Sequence, residues 1–283
     1  MKICTLVLVG LLGICFNLSA QLTYSTTPDA QTKFPRKSNN LTAIMGAFAD
    51  EVEVLKKEIK GRREQHIEGL TFYTGSLEGR KIVLVQGGIG KVNAALTTTL
   101  LLEHFRPREV IFTGIAGGLN PKYQPGDIVM ATKVAYHDYG RVLKEGMTVR
   151  PTRNPYNFQE NPLYFPADSS LLLVAGVVIP KVKLEKVGNY QPTIYSGTVV
   201  TGDVFMASDS ASLHIRRTMQ ADAIEMEGAA VSQICWQQRV PFLIIRSLSD
   251  NANHSASVDM HTYGPIAARN SAALVKALLE RLK

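Results

Sequence analysis

From Leu41 onward, hydrophobic and polar positions alternate between two rhythms. Short apolar runs bounded by Gly, Pro or charged residues mark buried strands at Leu41 to Met45, Thr71 to Thr74, Lys81 to Val85 and Glu109 to Thr113. Asp127 to Ala131, Thr193 to Thr201, Ala223 to Glu225 and Pro241 to Ser247 continue the series. Between these runs the spacing becomes helical. Val52, Leu55 and Ile59 share one face after Gly46, and Lys91 to Phe105, Ser169 to Val178 and Gly228 to Trp236 read as helices. Near the C-terminus Leu274, Leu278 and Leu282 stand at i, i+4 and i+8, with Val275 and Leu279 beside them. Continuously apolar strands alternating with helices predict an α/β domain whose largely parallel sheet is covered on both faces. Residues 140–168 break the rhythm. They are rich in proline and aromatic residues, lack periodicity and predict a long loop.

The first forty residues follow other rules. Lys2, the apolar run from Ile3 to Phe16 and the small-residue stretch Leu18-Ser19-Ala20 have the layout of a secretory signal peptide. The run is shorter than the about 20 apolar residues that span a bilayer. Ile14 before Cys15 does not suit lipoprotein processing. Residues 21–40 are polar and read as a linker or arm. The expected organisation is a signal peptide at 1–20, an arm at 21–40 and a single domain at 41–283. The chain is then exported, periplasmic or secreted, with no stable membrane span after cleavage; a retained leader acting as an anchor is the alternative.

Composition narrows the class. With 45% hydrophobic and 19% charged residues over 283 positions, the chain can bury a sizeable core and is not disordered. The net charge of +7 comes without a run of Lys and Arg, so no nucleic-acid partner is expected. Cys4 and Cys15 lie in the leader, and Cys235 alone cannot form an internal disulfide. It sits in an apolar helical pattern and reads as a small buried hydrophobe rather than a nucleophile.

In α/β sheets, ligands bind beyond the carboxyl ends of the strands. Three acidic groups follow strands here: Asp50-Glu51, Glu225-Met226-Glu227 and Ser249-Asp250, the last just after Arg246. Each also has a structural reading. Acids in the first turn of a helix complement its dipole, and Ser249 or Asp250 suits a helix N-cap. Spacing alone leaves both readings open. Gly87 to Lys91 lacks the spacing and the Ser/Thr of a phosphate loop, and neither it nor Gly114 to Gly118 carries a dinucleotide fingerprint. Glycine after a strand does let a flat ligand approach the backbone. The histidines at 66, 104, 137, 214, 254 and 261 show no zinc spacing, so no metal and no cofactor is expected, and His137 reads as structural. There is no Gly-x-Ser-x-Gly elbow for a serine nucleophile.

Seven blocks occur in a telling order: Gly46 to Val52, Gly88 to Ala95, Thr113 to Leu119, Gly126 to Val129, Gly202 to Phe205, Glu225 to Ala230 and Arg246 to Ala252. Together they resemble the purine nucleoside phosphorylase superfamily, and within it the 5'-methylthioadenosine/S-adenosylhomocysteine nucleosidase branch. The resemblance implies a three-layer α/β/α sandwich with a central mixed sheet, a homodimer, and hydrolysis of the N-glycosidic bond of an adenine nucleoside. It implies that Glu51 deprotonates the attacking water and that Asp250 protonates N7 of the leaving adenine. Glu227 holds the ribose hydroxyls with Met226 against the sugar, and Phe205 stacks on the base with Met206 next to it. Ser249 and Arg246 support Asp250, and Ala47, Ile89 and Gly117 line the pocket. The segment from His137 to Asp168 is longer than in typical bacterial members. In the family this part of one subunit helps close the 5'-substituent pocket of the other.

The chemistry accounts for these residue types independently. Breaking C1'–N9 builds positive charge on the ribose and negative charge on the base. A carboxylic acid with a raised pKa makes the base a neutral leaving group. A second carboxylate must stay ionised to activate water and stabilise the sugar cation. A phosphorylase is the enzymatic alternative, but residues 46–55 contain no Arg and Glu51 repels an anion. A storage or binding protein on the same scaffold is the non-enzymatic alternative, against which Glu51, Glu227 and Asp250 argue together. A futalosine-type nucleoside is a further candidate substrate.

Overall fold

The computed structural model describes residues 38–144 and 146–282. The leader and nearly all of the expected arm lie outside these described residues. The first half of the fold runs Thr42–Gly46 (β1), Ala49–Glu58 (α1), Lys60–Ile67 (β2), Leu70–Leu77 (β3), Arg80–Gln86 (β4), Lys91–Phe105 (α2) and Glu109–Gly118 (β5). Ile128–Tyr136 (β6), Gly140–Leu143 (β7), Gly146–Val149 (β8), Phe165–Pro166 (β9) and Ser169–Val178 (α3) follow. The chain ends with Ile194–Thr201 (β10), Asp209–Met219 (α4), Ala223–Glu225 (β11), Gly228–Gln238 (α5), Phe242–Asp250 (β12) and Ala256–Arg281 (α6).

The main sheet has the order β11-β10-β6-β12-β5-β1-β4-β3-β2, with β9 beside β6. Its centre, β4, β1, β5 and β12, is parallel. β6 joins β12 antiparallel, and β6, β10 and β11 are again parallel to one another. β2 and β3 extend the other edge as antiparallel strands. β11 also pairs antiparallel with β5, Ala223 opposite Gly118 and Ile224 opposite Gly117, so this half of the sheet closes on itself. Closure brings the end of β11, the end of β5 and the end of β12 to one place.

Alternate residues of the central strands serve two separate cores. Ala43, Met45, Val83, Val85, Val110, Phe112 and Ile244 pack with Leu101, Leu102 and Phe105 of α2 and Ala229, Val231 and Cys235 of α5. Ile44, Ile82, Leu84, Ile111, Leu243 and Ile245 face Val52 and Leu55 of α1, Leu171 and Ala175 of α3, and Leu274 to Leu279 of α6. Both strand faces are dry, which is why these strands have no polar alternation. The result is a three-layer α/β/α sandwich around a mixed sheet. Cys235 is fully buried, and burial pushes its thiol pKa up, so it is an inert core residue.

Two segments differ from the sequence expectation. β2 carries an almost wholly exposed Lys-Gly-Arg-Arg-Glu-Gln-His sequence and is held by pairing with β3, so no apolar rhythm reveals it. Residues 140–168 are not a structureless loop. They contain the β7–β8 hairpin and β9, which pairs Phe165 with Val134. The hairpin side chains are exposed, so they leave no buried period in the sequence; Asn161 Nδ2 donates to Thr152 Oγ1 at 2.9 Å inside the remaining turn.

Leu278 is fully buried between α6 and the sheet. Leu278→Ala should cost about 2–5 kcal/mol through lost transfer energy and a residual cavity. Urea denaturation should show a lower midpoint at unchanged slope.

Candidate active site

β1 ends at Gly46, and the chain turns through Ala47 and Phe48 into α1. The turn places Glu51 in the first helical turn with its carboxylate folded back under the backbone. It accepts hydrogen bonds from the N–H groups of Ala47, Phe48 (3.3 Å) and, across the sheet, Ile115 of β5 (3.0 Å). Arg246 Nη1 stands 3.7 Å from its Oε1. These contacts favour the ionised form, but Glu51 is only 2% exposed and burial outweighs them, so its pKa lies above the ordinary carboxylate value.

Arg246 lies within β12 and is completely buried. Its guanidinium sits 4.1 Å from the Phe112 ring centroid. Nη2 is 2.5 Å from Glu225 and 3.6 Å from Glu227. One cation therefore faces three carboxylates from α1, β11 and the start of α5. Gly114 makes the room: a β-carbon there would fall 2.2 Å from both Arg246 Nη1 and Glu51 Oε1.

Glu225 caps α5. Its carboxylate accepts from the N–H groups of Glu227 (3.1 Å) and Gly228 (2.7 Å), and from the Thr201 hydroxyl. Glu227 Oε1 accepts from Gly90 N–H at the start of α2, at 2.8 Å, while Oε2 faces Arg246. Burial first, and then the nearby Glu225 charge, push the Glu227 pKa up to about 8 against the pull of Arg246.

Asp250 ends β12 opposite Gly117 of β5. Ser249 Oγ donates to its Oδ2 and Ala252 N–H to its Oδ1, each at 2.7 Å. Burial raises its pKa despite these two bonds. Gly117 is needed for the close approach, because a β-carbon there would meet Asp250 Oδ1 at 2.9 Å. Glu51 and Asp250 thus flank the end of β5, one bound at Ile115 and the other packed at Gly117.

The remaining expected residues border this cluster. Ala47 is buried and donates to Glu51. Ile89 is exposed just before α2, and Met226 is half-buried between the two glutamates. Phe205 is 45% exposed in the β10–α4 loop, and Met206 packs towards Met219, Ile224 and Ala252. That loop is tied to α2: Lys91 N–H donates to Asp203 Oδ1 at 2.7 Å, and both Lys91 Nζ (2.5 Å) and Asp203 N–H (2.8 Å) donate to Asp138 Oδ2.

Three expectations change. Arg246 makes no ion pair with Asp250 among the described residues; its guanidinium turns to the carboxyl groups of Glu51, Glu225 and Glu227. Ser249 and Asp250 are not a helix N-cap, because β12 continues through Asp250 and α6 begins only at Ala256. Asp50 points to solvent and takes no part in the cluster. Lys91 and Asp203 fall within two of the motif blocks, but nothing in the sequence pairs them with Asp138; the local trace is Gly90, an N-cap with no side chain, which leaves the α2 N-terminus to be capped from elsewhere.

Comparison with known proteins follows the same lines. The phosphorylase superfamily profile matches residues 42–280. The 5'-methylthioadenosine/S-adenosylhomocysteine nucleosidase of Psychromonas ingrahamii is 39% identical over 240 residues, covering 84% of this chain and 98% of that protein. The solved nucleosidase of Colwellia psychrerythraea in complex with adenine shares 34% identity at a TM-score of 0.75, covering 87% of this chain and 97% of its own. The Neisseria meningitidis nucleosidase in complex with methylthio-immucillin-A gives a TM-score of 0.74 at 31% identity, with 86% and 99% coverage.

The raised pKa of Glu227 has a consequence for stability. The native state binds this proton up to about pH 8, whereas the group's ordinary pKa is 4.5. Through this group the native state loses stability as pH rises across that interval. Glu227→Gln removes the effect, so its urea midpoint should fall less between pH 5 and pH 8 than that of the unmodified protein. Equal falls would refute the assignment.

Proposed function

The chain belongs to the phosphorylase superfamily, in its 5'-methylthioadenosine/S-adenosylhomocysteine nucleosidase branch, and from that premise we propose how it works. It is an N-glycosyl hydrolase that releases adenine from methylthioadenosine, S-adenosylhomocysteine or a related adenine nucleoside, with water as nucleophile. The observation that carries the division of roles is the pair of buried carboxyl groups on either side of the β5 end, one beside a buried cation and one apart from it.

Glu51 takes a proton from the attacking water, whose oxygen forms the new bond to C1'. The C1'–N9 bond breaks and its electron pair passes to the base. Asp250, whose pKa burial raises, gives its proton to N7, so adenine leaves neutral. Glu227 holds the ribose hydroxyls with Oε2, since Oε1 is occupied by Gly90 N–H. Met226 packs on the sugar, Phe205 and Met206 border the base, and Ala47, Ile89 and Gly117 line the pocket. Arg246 keeps the glutamates from all becoming protonated. A phosphate nucleophile would add an anion beside three carboxyl groups that already share this single guanidinium, which supports hydrolysis over phosphorolysis.

The active form is proposed to be a homodimer. α2 packs beside α5, and Val92, Leu96 and Trp236 on these helices are exposed. Tyr156, whose hydroxyl accepts from Gln238 Nε2 at 2.6 Å, brings the exposed Phe158 turn to the same surface. A second copy covering these side chains removes an apolar patch from water. The leader supports export, with a mature start at or near Gln21.

Purified protein should release adenine from methylthioadenosine at the same rate with and without phosphate; a strict phosphate requirement would establish the phosphorylase instead. Asp250→Asn should lower turnover of adenine nucleosides by about 10²–10⁴-fold, yet keep much of its activity on a nitrophenyl riboside, whose leaving group needs no proton. Glu51→Gln should lose both activities, because either substrate needs the activated water. Protein isolated from its native host should sediment as a dimer at low micromolar concentration and begin near Gln21. A fully active monomer contradicts the first of these claims and an N-terminal Met1 the second.

A further inference from the structure

Ala252, two residues beyond Asp250, is fully buried and has φ of +50°. That is the left-handed region, where the β-carbon of an L-residue carries a steric penalty. The conformation has a function within the site, since it turns Ala252 N–H onto Asp250 Oδ1 at 2.7 Å. Something must hold an alanine there, and the local chain offers no glycine to do so without strain.

The holding group comes from α4. Ser212, in the first half of that helix and 8% exposed, donates its hydroxyl hydrogen to the Ala252 carbonyl. The same end of α4 grips the segment a second time: His254 Nδ1 pairs with Asp209 Oδ2 at 3.0 Å and His254 N–H donates to the same oxygen at 3.3 Å. The Asp209 contact is exposed, whereas the Ser212 contact is buried and acts on the strained residue itself. On the opposite side Gly117 leaves no slack, because a β-carbon there would lie 2.9 Å from both Ala252 Cβ and Asp250 Oδ1. α4 also follows directly on the loop that carries Phe205 and Met206, so one helix connects the base-stacking side of the site with its acid.

We infer that Ser212 is a positioning residue for Asp250, acting by tethering the Ala252 carbonyl so that the left-handed turn aims the acid at the base. The inference rests on the reading of Asp250 as the group that protonates the leaving base. Without the hydroxyl, the buried Ala252 carbonyl has lost its partner and the turn relaxes towards an unstrained conformation. Ala252 N–H then leaves Oδ1, and the carboxyl no longer has one direction. Proton transfer depends on that direction, while sugar binding and water activation at Glu227 and Glu51 do not.

The test compares two leaving groups in the full-length mature protein. Ser212→Ala should lower kcat on methylthioadenosine about tenfold with KM changed less than about twofold, and leave nitrophenyl riboside turnover within about twofold. Ser212→Thr, which keeps the hydroxyl, should restore most of the loss. Glycine adopts a positive φ without strain. In an Ala252→Gly background, Ser212→Ala should therefore cost less than about threefold, and that pair of variants also covers the case in which Ser212→Ala alone folds poorly. Equal losses on both substrates, no loss on either, or an undiminished cost in the Ala252→Gly background overturn the inference. Asp250→Asn is measured alongside. If it separates the two substrates and Ser212→Ala does not, only the role of Ser212 falls; if it fails to separate them, the assignment of the acid falls and the tether with it.

Discussion

A single guanidinium with no access to water faces three carboxylates, and the geometry of the site depends on that imbalance. Arg246 belongs to β12, Glu51 to α1, Glu225 to β11 and Glu227 to the turn into α5. Removing one partner of a buried ion pair costs about 3–5 kcal/mol, because the charge left behind is uncompensated. The four elements are therefore fixed relative to one another by charge as well as by packing. Phe112 beneath the guanidinium and the missing side chain at Gly114 are the accommodations β5 makes for it.

The same guanidinium stands beside one of the two carboxyl groups that flank β5 and not beside the other. Glu51 is buried but has Arg246 and three N–H groups to favour its anion. Asp250 is also buried, yet no ion pair joins it to Arg246; it has one hydroxyl and one N–H. Burial thus raises both carboxyl groups, on either side of β5, and only Glu51 has a cation beside it pulling the other way. An arginine that supported Asp250 directly would work against this arrangement, since it would draw the proton off the group that has to donate it. The position of Arg246 is therefore consistent with the chemistry in a way that its expected role was not.

Most of the layered fold is legible in the sequence because both faces of the central strands are dry. Ile82 to Val85 and Val110 to Phe112 send alternate residues into two different cores, so each run is continuously apolar and stands out. β2 and the β7–β8 hairpin escape notice for the opposite reason: their side chains face water, and their stability comes from backbone pairing that composition does not encode. In the site, residue types and order point to Glu51, Glu227 and Asp250, but the partners of Arg246 depend on sheet closure. β11 meets β5 only through the antiparallel pair at Gly117 and Gly118, a contact between segments about a hundred residues apart that no local pattern announces.

The acids also show why a helix-start reading and a functional reading need not compete. Glu51 sits in the first turn of α1, Glu225 caps α5, and Glu227 accepts the N–H of Gly90, the N-cap residue of α2. A carboxylate has about four lone-pair positions, so what matters is how many remain after capping. Glu225 has none to offer: Thr201, Glu227 N–H, Gly228 N–H and Arg246 fill both oxygens. Glu51 accepts three N–H groups and Asp250 two protein donors, while Glu227 accepts a single N–H. The acid that is saturated is structural, and those with free capacity are the ones able to receive a water, a base or a sugar hydroxyl. Glu225 and Glu227 are two residues apart and both buried, and their different lone-pair occupancy is what divides the work between them.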